Sequence, residues 1–226
     1  MAILSGGDEL ISPDTTPQPG QIRDINAYTL AAVVAACGGQ PVLLGIAPDS
    51  FDDYFHLAQT GLHQADMLVL TSGSSISTRD LTRAVIDRLG QPGVLQHGLA
   101  VKPGKPTLIG LCGGKPVIGL PGNPVSAMLV ARQIVVPVIR RALGEAPMPR
   151  ATIRAALSAN IASTTGREDT VPVRLIERDG VLYAEPAFGK SNLIYTLVRA
   201  DGLAHVPLNS NGIRAGTVVE VTLFDV

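Results

Sequence analysis

The chain has 226 residues, 46% of them hydrophobic and 16% charged, and its net charge is −1. That length holds one large domain, or one medium and one small. The apolar content supports a buried core and excludes a disordered chain, and the balanced charge excludes the basic footprint of a nucleic-acid binder and an acidic tail. The first apolar stretch is broken at once by Gly6, Gly7, Asp8 and Glu9, unlike a signal peptide, and no apolar run reaches membrane-spanning length. Cys37 and Cys112 have no metal-ligand spacing and suit a reducing compartment. The expectation is a cytoplasmic protein with neither nucleic acid nor membrane among its partners.

Ala2 to Leu4 reads as a buried strand, followed by a polar loop carrying Pro13, Pro17 and Pro19. Asp24 and Asn26 are helix-start residues, and Tyr28 to Cys37 is a compact apolar helix ended by Gly38 and Gly39. A strand over 41–46, a helix opened by Asp49 and Ser50 and running to about His63, and a continuously apolar strand over 67–71 come next. Ser77 or Thr78 caps a further helix with Leu81, Ala84, Val85 and Leu89 on one face. Two short strands, 107–112 and 116–120, precede a long apolar helix reaching about Leu143. This alternation predicts a three-layer αβα domain with a mostly parallel sheet over residues 1–146. After Gly144 the helical period vanishes. Alternating segments at 152–161, 170–177, 181–186, 203–207 and 217–224 predict a small antiparallel β barrel over 147–226, with 191–200 as a helical candidate.

Three loops carry candidate chemistry. Thr71-Ser72-Gly73-Ser74-Ser75 stands between a strand and a helix, where backbone N–H groups, hydroxyls and the helix dipole favour an anion; a Ser-rich turn with an ordinary cap is the plainer reading. Lys102-Pro103-Gly104-Lys105-Pro106 puts two ammonium groups on a stiff turn, suited to phosphate or molybdate, unless both lysines are simply solvated. In Pro121-Gly122-Asn123-Pro124-Val125-Ser126, Asn123 is an N-cap, Pro124 takes the first helical position, and Ser126 falls in the first turn. A good cap explains Asn123 and Pro124, but not Gly122 and the second proline before them. Glu9, Asp49 and Asp80 follow strands of one sheet, so their carboxylates are expected on one rim, together with Lys102 and Lys105. Carboxylates beside a phosphate ligand suit Mg²⁺, with Asp49 and Asp80 as its ligands. His56, His63, His97 and His205 have no metal spacing, and Arg132 reads as a charge snorkelling from a half-buried helix.

The runs TSGSSISTRDL, HGLAVKPGKPTLIG and GKPVIGLPGNPVSAM, in that order, resemble the MoeA-type molybdopterin molybdenumtransferases, the family that includes the E domain of gephyrin. GGDEL, GQIRDINAYTLAAVVAACGG, FGKSNLIYTLVRADGL and AGTVVEVTLF extend the resemblance over nearly the whole chain. The resemblance implies insertion of molybdenum from molybdate into adenylylated molybdopterin, with Mg²⁺ assisting, AMP leaving, and a homodimer as the working form. It places Ser72, Gly73, Ser74, Gly122, Asn123 and Ser126 at the pterin or its phosphate, Lys102, Lys105 and Ser126 at molybdate or the substrate anion, and Arg167 and Ser191 at further anion contacts. Glu9, Asp49 and Asp80 form its acidic, metal-assisting set. Two features depart from the family. Ser74 stands where a second glycine is usual, and the two N-terminal domains of the family have no counterpart here. A binding module or scaffold without turnover, and a molybdopterin adenylyltransferase, are the alternative readings; the β segment argues against the second.

Overall fold

The structure is a computed structural model that describes residues 1–72, 76–147 and 149–224, and of residues 76–79 the backbone only. It divides into two compact units, residues 1–99 with 106–146, and residues 100–105 with 147–226.

In chain order the first unit runs β1 (Ala2–Gly6), β2 (Leu10–Ile11), β3 (Ile22–Arg23), α1 (Asn26–Ala36), β4 (Val42–Ala47), α2 (Phe51–Gln64), β5 (Leu68–Ser72), α3 (Ile76–Leu89) and β6 (Pro92–His97). The chain then leaves for β7 (Val101–Lys102) and returns as β8 (Leu108–Cys112), β9 (Lys115–Pro121), α4 (Pro124–Val130) and α5 (Val136–Ala142). The sheet order is β4-β1-β5-β9-β8-β6. β4, β1, β5 and β9 are parallel, while β8 runs against both β9 and β6. The central strands are buried on both faces, and their alternation divides the core in two. Ile3, Val69 and Ile118 pack with Leu30 and Val34 of α1 and Val130 beyond. Leu4, Leu68 and Leu70 pack with Tyr54 of α2 and Val85 and Ile86 of α3. This is the expected αβα sandwich.

Several local details differ from expectation. The proline-bearing loop is pinned by the small β2–β3 ladder. β6, at the sheet edge, is a strand that no periodicity in the sequence marks, since it opens on Pro92 and Gly93. On α3, Ala84 is exposed while Thr82 and Ile86 are buried, so the inward stripe is shifted and includes a hydroxyl. The long apolar helix is interrupted by a π turn over Ala131–Val135, in which the Val136 N–H donates to the Ala131 carbonyl. Pro137 supplies the cause, because it lacks an N–H and its ring would clash with the carbonyl four residues earlier.

The second unit contains β7, β10 (Thr152–Leu157), β11 (Ile161–Ala162), β12 (Glu168–Arg178), β13 (Val181–Pro186), α6 (Tyr195–Val198), β14 (Gly202–Val206), β15 (Gly212–Ile213) and β16 (Val218–Leu223). The order β13-β10-β16-β14-β12, with β12 pairing back to β13, closes a five-stranded barrel around Leu157, Val173, Ala204 and Val221. β7 pairs with β12 in parallel, Val101 opposite Glu168 and Lys102 opposite Asp169. The sequence reading placed residues 100–105 with the αβα domain; their strand pairing draws them into the barrel unit. The helical candidate at 191–200 shrinks to the short α6.

One cation closes the first unit. Lys115, in the β8–β9 hairpin, donates through Nζ to the carbonyls of Leu62 and Ala65 at 2.7 and 2.9 Å, which satisfies orphan acceptors at the α2 C-terminus and opposes its dipole. Lys115→Met is expected to lower stability by about 1–2 kcal/mol in urea unfolding. Cys37 and Cys112 are both buried. Burial pushes both thiols above their usual range; for Cys112 the Asp87 carboxylate adds to it, whereas Arg140 pulls Cys37 back. A raised folded value favours the folded state fully below about pH 8.5, the ordinary thiol value, and the benefit is lost as pH rises through the folded value. Replacing both cysteines by alanine is expected to flatten the alkaline decline of stability, measured by urea unfolding on both sides of about pH 8.5.

Candidate anion-binding site

In a parallel sheet the carboxyl ends of the strands share one edge, where ligands of open α/β folds bind. Here β1 ends at Gly6, β4 at Ala47, β5 at Ser72 and β9 at Pro121. At that edge the ends of β5 and β9, the start of α4, Thr82 of α3 and Pro106 enclose a cavity of about 130 Å³. Its lining includes Ser72, Gly122, Asn123 and Ser126, so the structure brings together the described members of the expected pterin-phosphate set. Gly73 and Ser74 lie outside the described residues. The volume is well below the roughly 300–1,000 Å³ of sites for drug-sized ligands, and suits a phosphate-sized group better than a whole pterin.

The local chemistry prepares this cavity for an anion. Ser72 is buried at the tip of β5, and Thr82 Oγ1 donates to its Oγ at 2.9 Å. A hydroxyl has one proton, so Ser72, accepting from Thr82, keeps its own for a ligand oxygen. Pro124 opens α4 as expected, and Asn123 has the extended conformation of a cap with its carbonyl accepting from the Ala127 N–H at 2.9 Å. Its side chain makes no capping hydrogen bond. The carboxamide is therefore not committed to the cap that sequence reasoning gave it, and Asn123 lines the cavity. Ser126 is buried in the first turn, beside the unsatisfied N–H groups of the helix start.

Sequence reasoning missed two residues that shape this edge. Thr82 was hidden on a stripe otherwise apolar, and a lone hydroxyl on that stripe after a Ser-rich loop was the available signal. Asn26 was read as a helix-start residue only. Its Nδ2 donates to the Gly122 carbonyl at 2.8 Å, 96 residues away in sequence, while its Oδ1 is buried with no partner among the described residues. Asp24, not Asn26, meets the helix start, accepting from the Ala27 N–H at 3.2 Å.

The acidic set is partly assembled. The Asp49 N–H donates to Asp8 Oδ1 at 3.0 Å, and the Asp49 carboxyl is raised above its usual range by burial first, then by the Asp8 and Glu9 carboxylates. Glu9 and Asp49 thus share one corner of the edge, joined by Asp8. Asp80 is exposed on the first turns of α3, after β5. Among the described residues no group of three or more His, Cys, Asp or Glu side chains is arranged to hold a metal by itself.

Lys102 and Lys105 were expected on the sheet rim with the carboxylates; the structure assigns both to the barrel unit. Both are exposed, and the turn between them is fixed by buried Gly104 at φ +115°, a conformation that disfavours any Cβ. Lys102 Nζ lies 3.7 Å from Asp169 Oδ2, and Arg167 Nε donates to Asp169 Oδ1 at 2.8 Å. Asp169 is buried, so two cations share one carboxylate, with the Glu168 carboxylate of the same pairing turned to His205 at 3.3 Å. Ser191 lies in the loop before α6, apart from this cluster in sequence and partly buried. Arg167→Ala would leave the Asp169 carboxylate buried with only the longer Lys102 contact, and is expected to destabilise the barrel by about 2–4 kcal/mol; thermal unfolding of the variant, with Arg167→Lys as its milder partner, measures this.

Fold and site together define an α/β unit with a small hydroxyl-lined cavity at its sheet edge, followed in sequence by a closed β barrel. Residues 2–141 match the family described as probable molybdopterin binding domain, and residues 154–224 match the MoeA C-terminal region (domain IV). The chain belongs to this molybdopterin-binding, MoeA-type family. It is 30% identical over 229 residues to molybdopterin molybdenumtransferase 1 of Mycobacterium tuberculosis, covering 98% of this chain and 53% of that protein. Against molybdopterin molybdenumtransferase of Haemophilus influenzae the identity is 29%, covering 100% and 56%. The crystal structure of a molybdopterin biosynthesis MoeA protein from Pyrococcus horikosii superposes with a TM-score of 0.85 at 35% identity, over 99% of this chain and 54% of that one. The chain spans about half the length of the curated relatives it matches.

Proposed function

We propose that the chain acts in molybdenum cofactor biosynthesis as a molybdopterin molybdenumtransferase, inserting molybdenum from molybdate into adenylylated molybdopterin with release of AMP. The observation that carries this is the cavity at the sheet edge, lined by Ser72, Asn123 and Ser126. In this reading the cavity holds the phosphate end of the pterin. Ser72 donates the proton left over from its bond with Thr82, Asn123 offers its carboxamide, and Ser126 adds a hydroxyl beside the helix N–H groups. The helix dipole offsets the negative charge. In the barrel unit Lys102 and Lys105, with Arg167 and Ser191, take molybdate or another substrate anion; Arg167 and Lys102 are held in place by Asp169. The work asked of the protein is positioning and charge neutralisation, with no covalent protein intermediate.

Mg²⁺ fits the residues present. Glu9, Asp49 and Asp80 offer hard oxygen donors, form no ion pair among the described residues, and do not build a cage on their own. That is the donor set Mg²⁺ takes, one or two carboxylates with substrate oxygens and water completing its shell. Asp49 and Asp80 would hold the ion, which when bound neutralises phosphate charge. A homodimer in the cytoplasm is the proposed working form, with small molecules as its partners. Binding of molybdopterin without turnover is the second reading, favoured by the family match of residues 2–141, whose description names binding alone.

Calorimetric titration with molybdopterin and with molybdate tests the site, and AMP release from adenylylated molybdopterin tests turnover. Lys102→Ala and Lys105→Ala are each expected to weaken molybdate binding by about tenfold, the worth of one charge-assisted contact, with the barrel still folded. Ser126→Ala is expected to weaken molybdopterin and spare molybdate. Binding without AMP release selects the second reading; no binding by folded protein rejects both.

A further inference from the structure

Tyr54 of α2 is the largest side chain in the core and is 1% exposed. Its ring lies so close over the end of β1 that a Cβ on Gly6 would come within 3.1 Å of Cζ and 3.3 Å of Oη. Gly6 is the register partner of Ser72 on β5. The phenol therefore sits at the carboxyl edge of the sheet, on the face that α2 and α3 cover, next to the Thr82–Ser72 hydroxyl pair that lines the cavity. Its oxygen makes no hydrogen bond of full geometry among the described residues, and the hydroxyl of Thr82 is near enough to act on it as a loose partner. Burial raises the phenol far above its usual range; the Thr82 hydroxyl beside it acts the other way and the Asp49 carboxylate raises it further. The group stays protonated and is a donor looking for an acceptor.

A phenylalanine would fill the same space without burying an unsatisfied hydroxyl, which is costly in a core. Thr82 already gives its proton to Ser72, and its oxygen has lone pairs to accept one. We propose that Tyr54 is a positioning residue of the cavity, acting through Thr82 and Ser72: when an oxyanion binds, the phenol O–H closes onto Thr82, Thr82 donates to Ser72, and Ser72 donates to the ligand. Hydroxyls in series polarise one another, so the last donor is strengthened by the first. Gly6 makes the arrangement possible, since any side chain there would occupy the place of the phenol. No proton is transferred; three O–H groups are aligned. The proposal rests on the reading of the cavity as the site of the pterin phosphate.

The test is molybdopterin binding to the full chain by calorimetry, with Tyr54→Phe, Thr82→Val and the double variant. Tyr54→Phe is expected to weaken binding about three- to tenfold, the worth of one net hydrogen bond, while leaving the melting temperature unchanged or higher. Because the groups act in series, the double variant is expected to bind no more weakly than Thr82→Val alone. The chain has four tyrosines, so with ¹³Cζ-labelled tyrosine the Tyr54 resonance is assigned by its loss in Tyr54→Phe and is expected to shift on adding ligand. Equal affinity of Tyr54→Phe and the parent chain, or additive losses in the double variant, overturns the proposal and leaves the site reading standing. Failure of the parent chain to bind removes the site reading and the proposal with it.

Discussion

The burial of β1 and β5 on both faces is the constraint from which the first unit follows. Each strand is covered by helices above and below, so its side chains are mostly apolar and divide between two cores. One buried hydroxyl pair interrupts this just before the strands end, Thr71 Oγ1 donating to Ser5 Oγ at 3.1 Å. Hydroxyls that line the cavity begin one residue later, at Ser72 beside Gly6. The cavity is thus less an addition to the fold than the place where its central rule lapses. Even there, the hydroxyls at the edge are paired or nearly paired with one another, because a half-buried rim still penalises lone donors.

How far the fold was legible follows from how local its causes are. The αβα alternation, the parallel centre and the barrel were readable because strand burial and helix periodicity are written into neighbouring residues. Ser72, Gly122, Asn123 and Ser126 were readable because strand-to-helix loops announce themselves by glycine, proline and hydroxyl residues. What escaped has distant causes. β7 is two residues long and is a strand only because β12 lies beside it. Asn26 acts on Gly122 through a contact that no window of sequence contains. Tyr54 looks like any aromatic on an amphipathic helix until Gly6 is known to lie under its ring. The lysines belong to the same class: Lys102 and Lys105 follow a strand of the α/β sheet in sequence, yet their turn belongs to the barrel unit.

Charge is arranged differently in the two units. The sheet edge of the first gathers Asp8, Glu9 and Asp49, where burial and the other two carboxylates raise the affinity of Asp49 for a proton. The barrel gathers Arg167 and Lys102 around one buried carboxylate. Asp169 holds the Arg167 guanidinium at 2.8 Å and draws Lys102 to 3.7 Å. Its position opposite Lys102 in the β7–β12 register makes that restraint part of the barrel's own hydrogen-bonded frame.

The detour at residues 100–105 has a consequence for how such a chain can be inherited. The polypeptide passes between the two units three times, at 99–100, at 105–106 and at 146–147. The family match to residues 2–141 runs straight through the detour. A genetic exchange that cut the chain only near 146 would carry away β12 and strand its neighbour β7 in the other half. A single cut near 146 therefore leaves the lysine turn on one side and the strand that holds it on the other.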